Sequence, residues 1–436
     1  MRYRRVSVIL LATLIALILP VGSAFAVPQP TVAFLNLPAD PQIGEDITFT
    51  VRFDNANPTD IGYGPFIDLF MPVTGADGAD GVTFLNATYL GAPVAAIPQT
   101  FPAGGCVNHP FLHDAILNPV PVCGVPGDML VTLELPFGSF TPNQPPADID
   151  ITAHISQNGD VGTGLTLQAR VGFRYGANPI DDPCCDAPIV SPTINTPITP
   201  ELAVITKTNN ATVDEIATGP NFPRQFTITV NVPNGQTVTD LDVTDFLPPQ
   251  TAFVSVDSII PAGGVITASP PANVPAPPGN NELTVRFPPI TGTSAPDDAV
   301  VVFTFYGERL TSGGANVINP LTGDDVTIVN SSGAIGDWTP TDPTDAGGVR
   351  NATAGGLCAV TPCPGANAPF LMAVAAQKSV TPDMNVAPGD FLTYSIDFQV
   401  SDFFSFTALA ITDIISDGQQ FDAGFTPQLA VAGNPP

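Results

Sequence analysis

Apolar and polar residues alternate with a period of two along much of this chain. In ITFTVRFDN, Ile47, Phe49, Val51 and Phe53 fall on one face; in LTLQARVGFRYG, Leu165, Leu167, Ala169, Val171 and Phe173 do the same. ADIDITAHIS gathers Ile149, Ile151 and Ile155, and FTITVNV gathers Phe226, Ile228, Val230 and Val232. DMLVTLELPF, TAFVSVDSII, ELTVRF, AVVVFTFYGERL, DVTIVNSS, FLTYSIDFQV and FTALAITDII are further strand candidates. Clusters of Pro, Gly, Asn and Asp separate them, which is the pattern of half-buried antiparallel strands joined by turns. Fifty prolines and 39 glycines leave little room for a long helix, while 44% apolar residues are enough to build a core.

The pattern repeats. VAFLNLPADPQIGEDITFTVRFDN, LAVITKTNNATVDEIATGPNFPRQFTITVNV and MAVAAQKSVTPDMNVAPGDFLTYSIDFQV begin at Val32, Leu202 and Met372, 170 residues apart each time. Propellers and solenoids use periods of ~20–50 residues, so the long period predicts tandem domains instead. The expected fold class is all-β: antiparallel Ig-like β-sandwiches joined by proline-rich linkers. The expected units are 27–198, 199–369 and a shorter third unit at 370–436, which suggests the N-terminal part of a longer chain. Three stretches read as irregular: Ala92 to Val125, the proline-dense NPIDDPCCDAPIVSPTINTPITP from Asn178 to Pro200, and Gly333 to Pro369.

Charge and chain ends narrow the class. Three arginines in residues 1–5, an uncharged, mostly apolar run to Leu19 and Ala24-Phe25-Ala26 form a secretory signal peptide over 1–26. The apolar run is shorter than the ~20 residues a span needs, so no transmembrane helix is expected in the mature chain. Removing that segment leaves nine basic against 40 acidic residues, a net charge of −31. Nucleic acid is therefore excluded as an expected partner. All six cysteines, Cys106, Cys123, Cys184, Cys185, Cys358 and Cys363, lie in the exported part, where an even count favours disulfides. Proximity favours Cys106–Cys123 and Cys358–Cys363.

KSVTPDMNVAPGDFLTYSIDFQV followed by ALAITDII resembles the DUF11-like conserved-repeat modules of bacterial surface proteins. These read K-x-V-x-P, a P-G-D turn, a T-Y-x-I strand and a V-T-D-x-L-P strand. The second unit matches more loosely, through ITKTNNATV, FTITVNV and VTDFLPP; the first has IGEDITFTVRF and FIDLFMP but no lysine. The resemblance implies a secreted structural module at a cell surface. Some modules similar to these carry a Lys–Asn isopeptide bond. Here the only lysines, Lys207 and Lys378, both stand on the repeat-opening strand. Such a bond needs a desolvated amine, an amide and a buried acid. In the second unit the resemblance points to Lys207 and Asn330, with Asp245 or Glu308 as the acid. Asp413 in ITDII and Asp68 in FIDLFMP look like counterparts of Asp245, and the first unit has no lysine. That argues for a lysine-independent task for this aspartate, such as holding the strand-to-turn bend.

Other chemistry is sparse. Cys106, His109, His113 and Cys123 have zinc-ligand types at a spacing of no common zinc motif, and export favours the disulfide, so no metal centre is expected there. His154 reads as a strand residue. Asp77 with Asp80, and Asp342 with Asp345, read as turn aspartates, with Ca²⁺ as the only cofactor such loops could take. The nucleophile-elbow, zincin, P-loop and dinucleotide motifs are missing, so a non-enzymatic reading leads. The expected function is an extracellular structural or adhesive surface protein, with self-association or an unidentified surface ligand or matrix as partner. The alternatives are a secreted carbohydrate-binding or hydrolytic protein with these modules as accessory, since a carboxylate pair suffices for glycoside hydrolysis, and a filament or matrix subunit assembling by strand complementation.

Overall fold

The computed structural model describes residues 27–431 apart from 79, 115, 178–187, 212–213, 279, 343–349, 355–366 and 417. Residues 1–26, where a signal peptide is expected, and Cys184, Cys185, Cys358, Cys363 and Asp345 lie outside the described residues. Among the described residues there is no α-helix, and the chain forms antiparallel β-sandwiches in tandem. The alternation holds where it was strongest: Phe49, Val51, Phe53, Leu167, Ala169, Val171 and Phe173 are fully buried in one core.

The first and second sandwiches share one topology. In the first, one sheet runs in the order Pro30–Leu35, Asp46–Asn55, Ala147–Ile155, Val82–Tyr89. In the second, the matching order is Val204–Asn209, Arg224–Asn231, Ala299–Gly307, Thr251–Ile260. The facing sheets also correspond. Ile189–Val190, Leu165–Phe173, Pro65–Met71, Met129–Glu134 and Ala95–Thr100 match Arg350–Ala354, Ser331–Trp338, Thr237–Phe246, Glu282–Arg286 and Val265–Ala268. The first two copies of the sequence repeat thus share one sheet order.

The three stretches read as irregular contain strands. Residues 92–125 form the Ala95–Thr100 edge strand and a hairpin, Cys106–His113 with Pro119–Cys123, lying over the outer face of the sheet. Its prolines sit on edges, where a missing N–H is tolerated. In the proline-dense stretch, Ile189–Val190 and Ile194–Ile198 pair with Leu165–Phe173, so residues 188–198 complete the first sandwich. After Gly333 the chain continues the Ser331–Trp338 strand and adds Arg350–Ala354. The neighbouring strand comes close to Ser331–Trp338 at Gly336: a Cβ there would stand 3.0 Å from the backbone oxygen of Thr239 and 2.5 Å from the Val238 side chain.

Beyond the second sandwich, Phe370–Met372 pairs with Glu215–Ala217 and Val326–Thr327 of that sandwich. Val374–Thr381 and Thr393–Val400 then form a two-stranded sheet. The expected strand FTALAITDII is not one: residues 401–416 carry no strand, since the two-stranded sheet provides it no partner.

Candidate functional site

Three side chains meet between the two sheets of the second sandwich. Lys207 lies on Val204–Asn209, the opening strand of one sheet. Asp245 lies on Thr237–Phe246 of the facing sheet, on the side of Leu241 and Val243, which are in the core. Asn330 immediately precedes Ser331–Trp338, whose Ser332 is the register partner of Asp245. The period of two puts Asn330, Ser332 and Asp245 on the same face.

The site is sealed. The side chains of Lys207 and Asp245 have no exposed surface, and Asn330 is fully buried. The Lys207 ammonium forms an ion pair and hydrogen bond with Asp245 Oδ2. Lys207 Nζ also lies 4.5 Å from the centroid of the Phe226 ring and 5.6 Å from that of Phe303. Burial pulls the Lys207 amine down to about 8, against the opposing pull of Asp245. Burial raises the Asp245 carboxyl, opposed by Lys207 and by the Asn330 amide. Both shifts favour a neutral amine beside a neutral acid.

The Asn330 amide is close enough to Asp245 to act on it, but neither its Nδ2 nor its Oδ1 makes a well-formed hydrogen bond, and Asp245 Oδ1 also lacks one. The backbone of Asn330 is held by paired hydrogen bonds with Asn367, at 2.9 and 3.0 Å. A buried amide left unsatisfied costs roughly 1–3 kcal/mol. The arrangement holds an amine of lowered proton affinity, an acid and an unsatisfied amide inside an aromatic-lined core. Chemically it can transfer the Asn330 acyl group to Lys207.

Glu308 takes no part. It is half-buried and accepts a 3.0 Å hydrogen bond from the Tyr306 hydroxyl, whose pKa burial and Glu308 push up to about 12. The choice of acid therefore falls on Asp245, which faces the core.

The lysine-bearing third unit repeats part of this geometry. Lys207 is the register partner of Ile228, and Lys378 that of Ile396. Two residues before each isoleucine stands an aromatic ring under the ammonium, Phe226 or Tyr394, the latter at 4.2 Å. Lys378 Nζ bonds Asp413 Oδ1 at 2.6 Å, with both side chains about a third exposed. The lysine–aspartate pairing thus recurs, but in the wet.

Asp68 is a different feature from Asp245. Ile67, Leu69 and Met71 face the core, so Asp68 points to the other side of its sheet. There it is buried beneath the disulfide-closed hairpin of Cys106 and Cys123. His109 Nε2 contacts both its oxygens at 2.8 and 3.0 Å, Thr132 Oγ1 donates at 2.8 Å and Arg170 Nε at 2.8 Å. His109 Nδ1 accepts from the backbone N–H of Phe111 and Leu112, at 3.0 and 2.9 Å, so the donated proton is on Nε2. This network was not singled out from the sequence. It is walled off from solvent and reads as the plug that fastens the hairpin. The Cys–His zinc alternative is not assembled, since the cysteines are bonded and His109 is engaged. His154 pairs with Asp46 at 2.8 Å across neighbouring strands.

No protein-family model matches the chain, and no curated protein matches it by sequence. Among solved structures the chain is similar to AvmM, which catalyses macrocyclisation in alchivemycin A biosynthesis, at 11% identity over 40% of this chain and 89% of that one, TM-score 0.26. It is similar to a C-terminal fragment of the major pilin GBS80 of Streptococcus agalactiae at 13% identity, over 75% of this chain and 90% of that one, TM-score 0.24. It is also similar to the major pilin SpaD of Corynebacterium diphtheriae at 12% identity, over 74% and 59%, TM-score 0.23. Superpositions of this quality carry no functional argument. Among the described residues no helix is long and apolar enough to cross a membrane.

Proposed function

We propose that this chain is a non-enzymatic structural protein of the cell exterior whose second β-sandwich is closed by an isopeptide bond between Lys207 and Asn330. The observation that carries the reading is the sealed meeting of Lys207, Asp245 and Asn330. A desolvated amine–acid pair beside an unsatisfied amide in a core is a poor stability device but the right set of ingredients for acyl transfer.

The chemistry balances within these three groups. Asp245 takes the proton of the Lys207 ammonium, and the neutral amine attacks Cγ of Asn330. The neutral Asp245 acid hydrogen-bonds the amide oxygen as charge develops there. The Nζ–Cγ bond forms, a proton passes through Asp245 to the amide nitrogen, and the Cγ–Nδ2 bond breaks with loss of one ammonia. A buried ion pair and an unsatisfied amide become one neutral secondary amide beside a neutral acid. Each chain reacts once, so the product is a fastened fold and not a turnover.

The bond would join opposite sheets, from the opening strand to the residue before Ser331–Trp338. Stretching force along the chain would then bypass everything between Lys207 and Asn330. The leader, the acidic surface and the motifs resembling DUF11-like modules support placing such a module outside the cell. Force spectroscopy on the full chain tests the mechanical reading. The 122 residues between the bonded positions would contribute roughly 400 Å of extension on unfolding. That extension is expected in Lys207→Arg and missing in the native chain; its presence in both would contradict the proposal.

A further inference from the structure

The two aspartate clusters that read as separate turns in the sequence come together in space. Asp77 and Asp80 lie in the turn between Pro65–Met71 and Val82–Tyr89 of the first sandwich, and Asp342 follows Ser331–Trp338 of the second. Carboxylate oxygens of all three lie within 4.8 Å of one another. They meet at a seam that is already fixed: Gln236 Nε2 donates to the backbone oxygen of Gln157 across it at 3.2 Å, and Ile43 N–H to that of Glu201 at 3.1 Å.

Asp80 sets this cluster apart from ordinary turn acids. It is only 2% exposed, and both of its carboxylate oxygens are buried without a hydrogen-bond donor. The local backbone is shaped to admit it. Gly75 has φ of +62°, and a Cβ there would stand 1.7 Å from Asp80 Oδ1. A buried carboxylate with no donor, aimed at two others, is a group in want of a cation.

We propose that Asp77, Asp80 and Asp342 form a Ca²⁺ site that locks the first sandwich to the second. Hard oxygen donors of this kind, with water and backbone carbonyls filling the remaining positions, suit Ca²⁺ over softer metals. A site assembled from two units binds only when they are docked, so the ion would reinforce the seam that the Gln236 and Ile43 hydrogen bonds already hold. The acids that repel between two strongly acidic modules would become the link between them. This inference is independent of the isopeptide bond, which lies inside the second sandwich.

The test is calorimetric titration of the chelator-stripped full chain with CaCl₂, alongside thermal unfolding. One ion is expected per chain, with Kd on the order of 0.1–1 mM, the range of extracellular modules. At about 10 mM Ca²⁺ the melting temperature is expected to rise by about 3–8 °C. Asp80→Asn and Asp342→Asn should each abolish the rise. In chelator, Asp80→Asn should melt no lower than the native chain, because it removes an uncompensated charge; this separates lost binding from misfolding. Absence of saturable binding, or a rise that survives Asp80→Asn through screening by other acids, would overturn the site.

Discussion

Asp68 and Asp245 occupy matched strands of two sandwiches with the same sheet order, yet they point to opposite faces: Asp245 into the core beside Lys207, Asp68 outward beneath the disulfide-closed hairpin. A one-residue offset in a strand reverses every side chain. The inward residues of the first unit's strand are Ile67, Leu69 and Met71, and the first unit has no lysine. The aspartate that faces the core therefore accompanies the lysine, and the argument for a lysine-independent task of Asp245 falls.

In the proposed reaction Asp245 is needed to form the bond and not to set the fold's outline. Asp245→Asn keeps the shape, removes the proton shuttle and is expected to leave Lys207 and Asn330 unjoined. The full-length variant should retain the ammonia that the native chain loses. With Lys207 then buried without a counter-charge, the second sandwich should lose roughly 3–5 kcal/mol in denaturant titration. An Asp245→Asn chain that still loses ammonia would assign the acid elsewhere.

The pH dependence follows from the shared proton. Below about 8, to which burial has lowered Lys207, the pair holds one proton between amine and carboxyl, and its neutral form is reached without exchange with solvent. Above about 8 that proton is lost, and Asp245 can no longer act as an acid. The rate of bond formation after refolding, followed by quenched mass spectra, should be flat through neutrality and fall above about pH 8. A rate that climbs steadily past pH 9 would contradict a role for the Asp245 proton.

In the first unit the hairpin and its plug should act together. Asp68→Ala leaves Arg170 and His109 buried without their acceptor, at a loss of roughly 3–5 kcal/mol. Removing the disulfide with Cys106→Ala and Cys123→Ala should lower stability by roughly 2–4 kcal/mol through the freed loop. The combined variant should lose less than the sum of the two separate losses, since both release the same hairpin. Additivity in a double-mutant cycle on the full chain would show that His109 is not held by the hairpin.

Much of this architecture was legible in side-chain alternation. Ile47 to Phe53 and Leu165 to Phe173 declared their faces because each buries one side only. The strands missed were those where alternation is erased for a physical reason. Ser331–Trp338 uses small residues beneath a close backbone at Gly336, and Ile194–Ile198 carries Pro197 at a sheet edge. The lysine and its two partners could be named from motif and strand order. What the sequence could not give was facing: Asp68 and Asp245 look alike in FIDLFMP and VTDFLPP until register separates them. The meeting of Asp80 with Asp342, 262 positions apart, was equally invisible.

The proposed closure of the second sandwich is one covalent bond. Proteolytic digestion of the native chain, followed by tandem mass spectrometry, should yield a branched peptide joining Lys207 to Asn330, lighter than the sum of its two arms by one ammonia. Lys207→Arg should yield both arms as separate linear peptides of full mass. Linear peptides carrying an intact Lys207 and an intact Asn330 from the folded native chain would contradict the account.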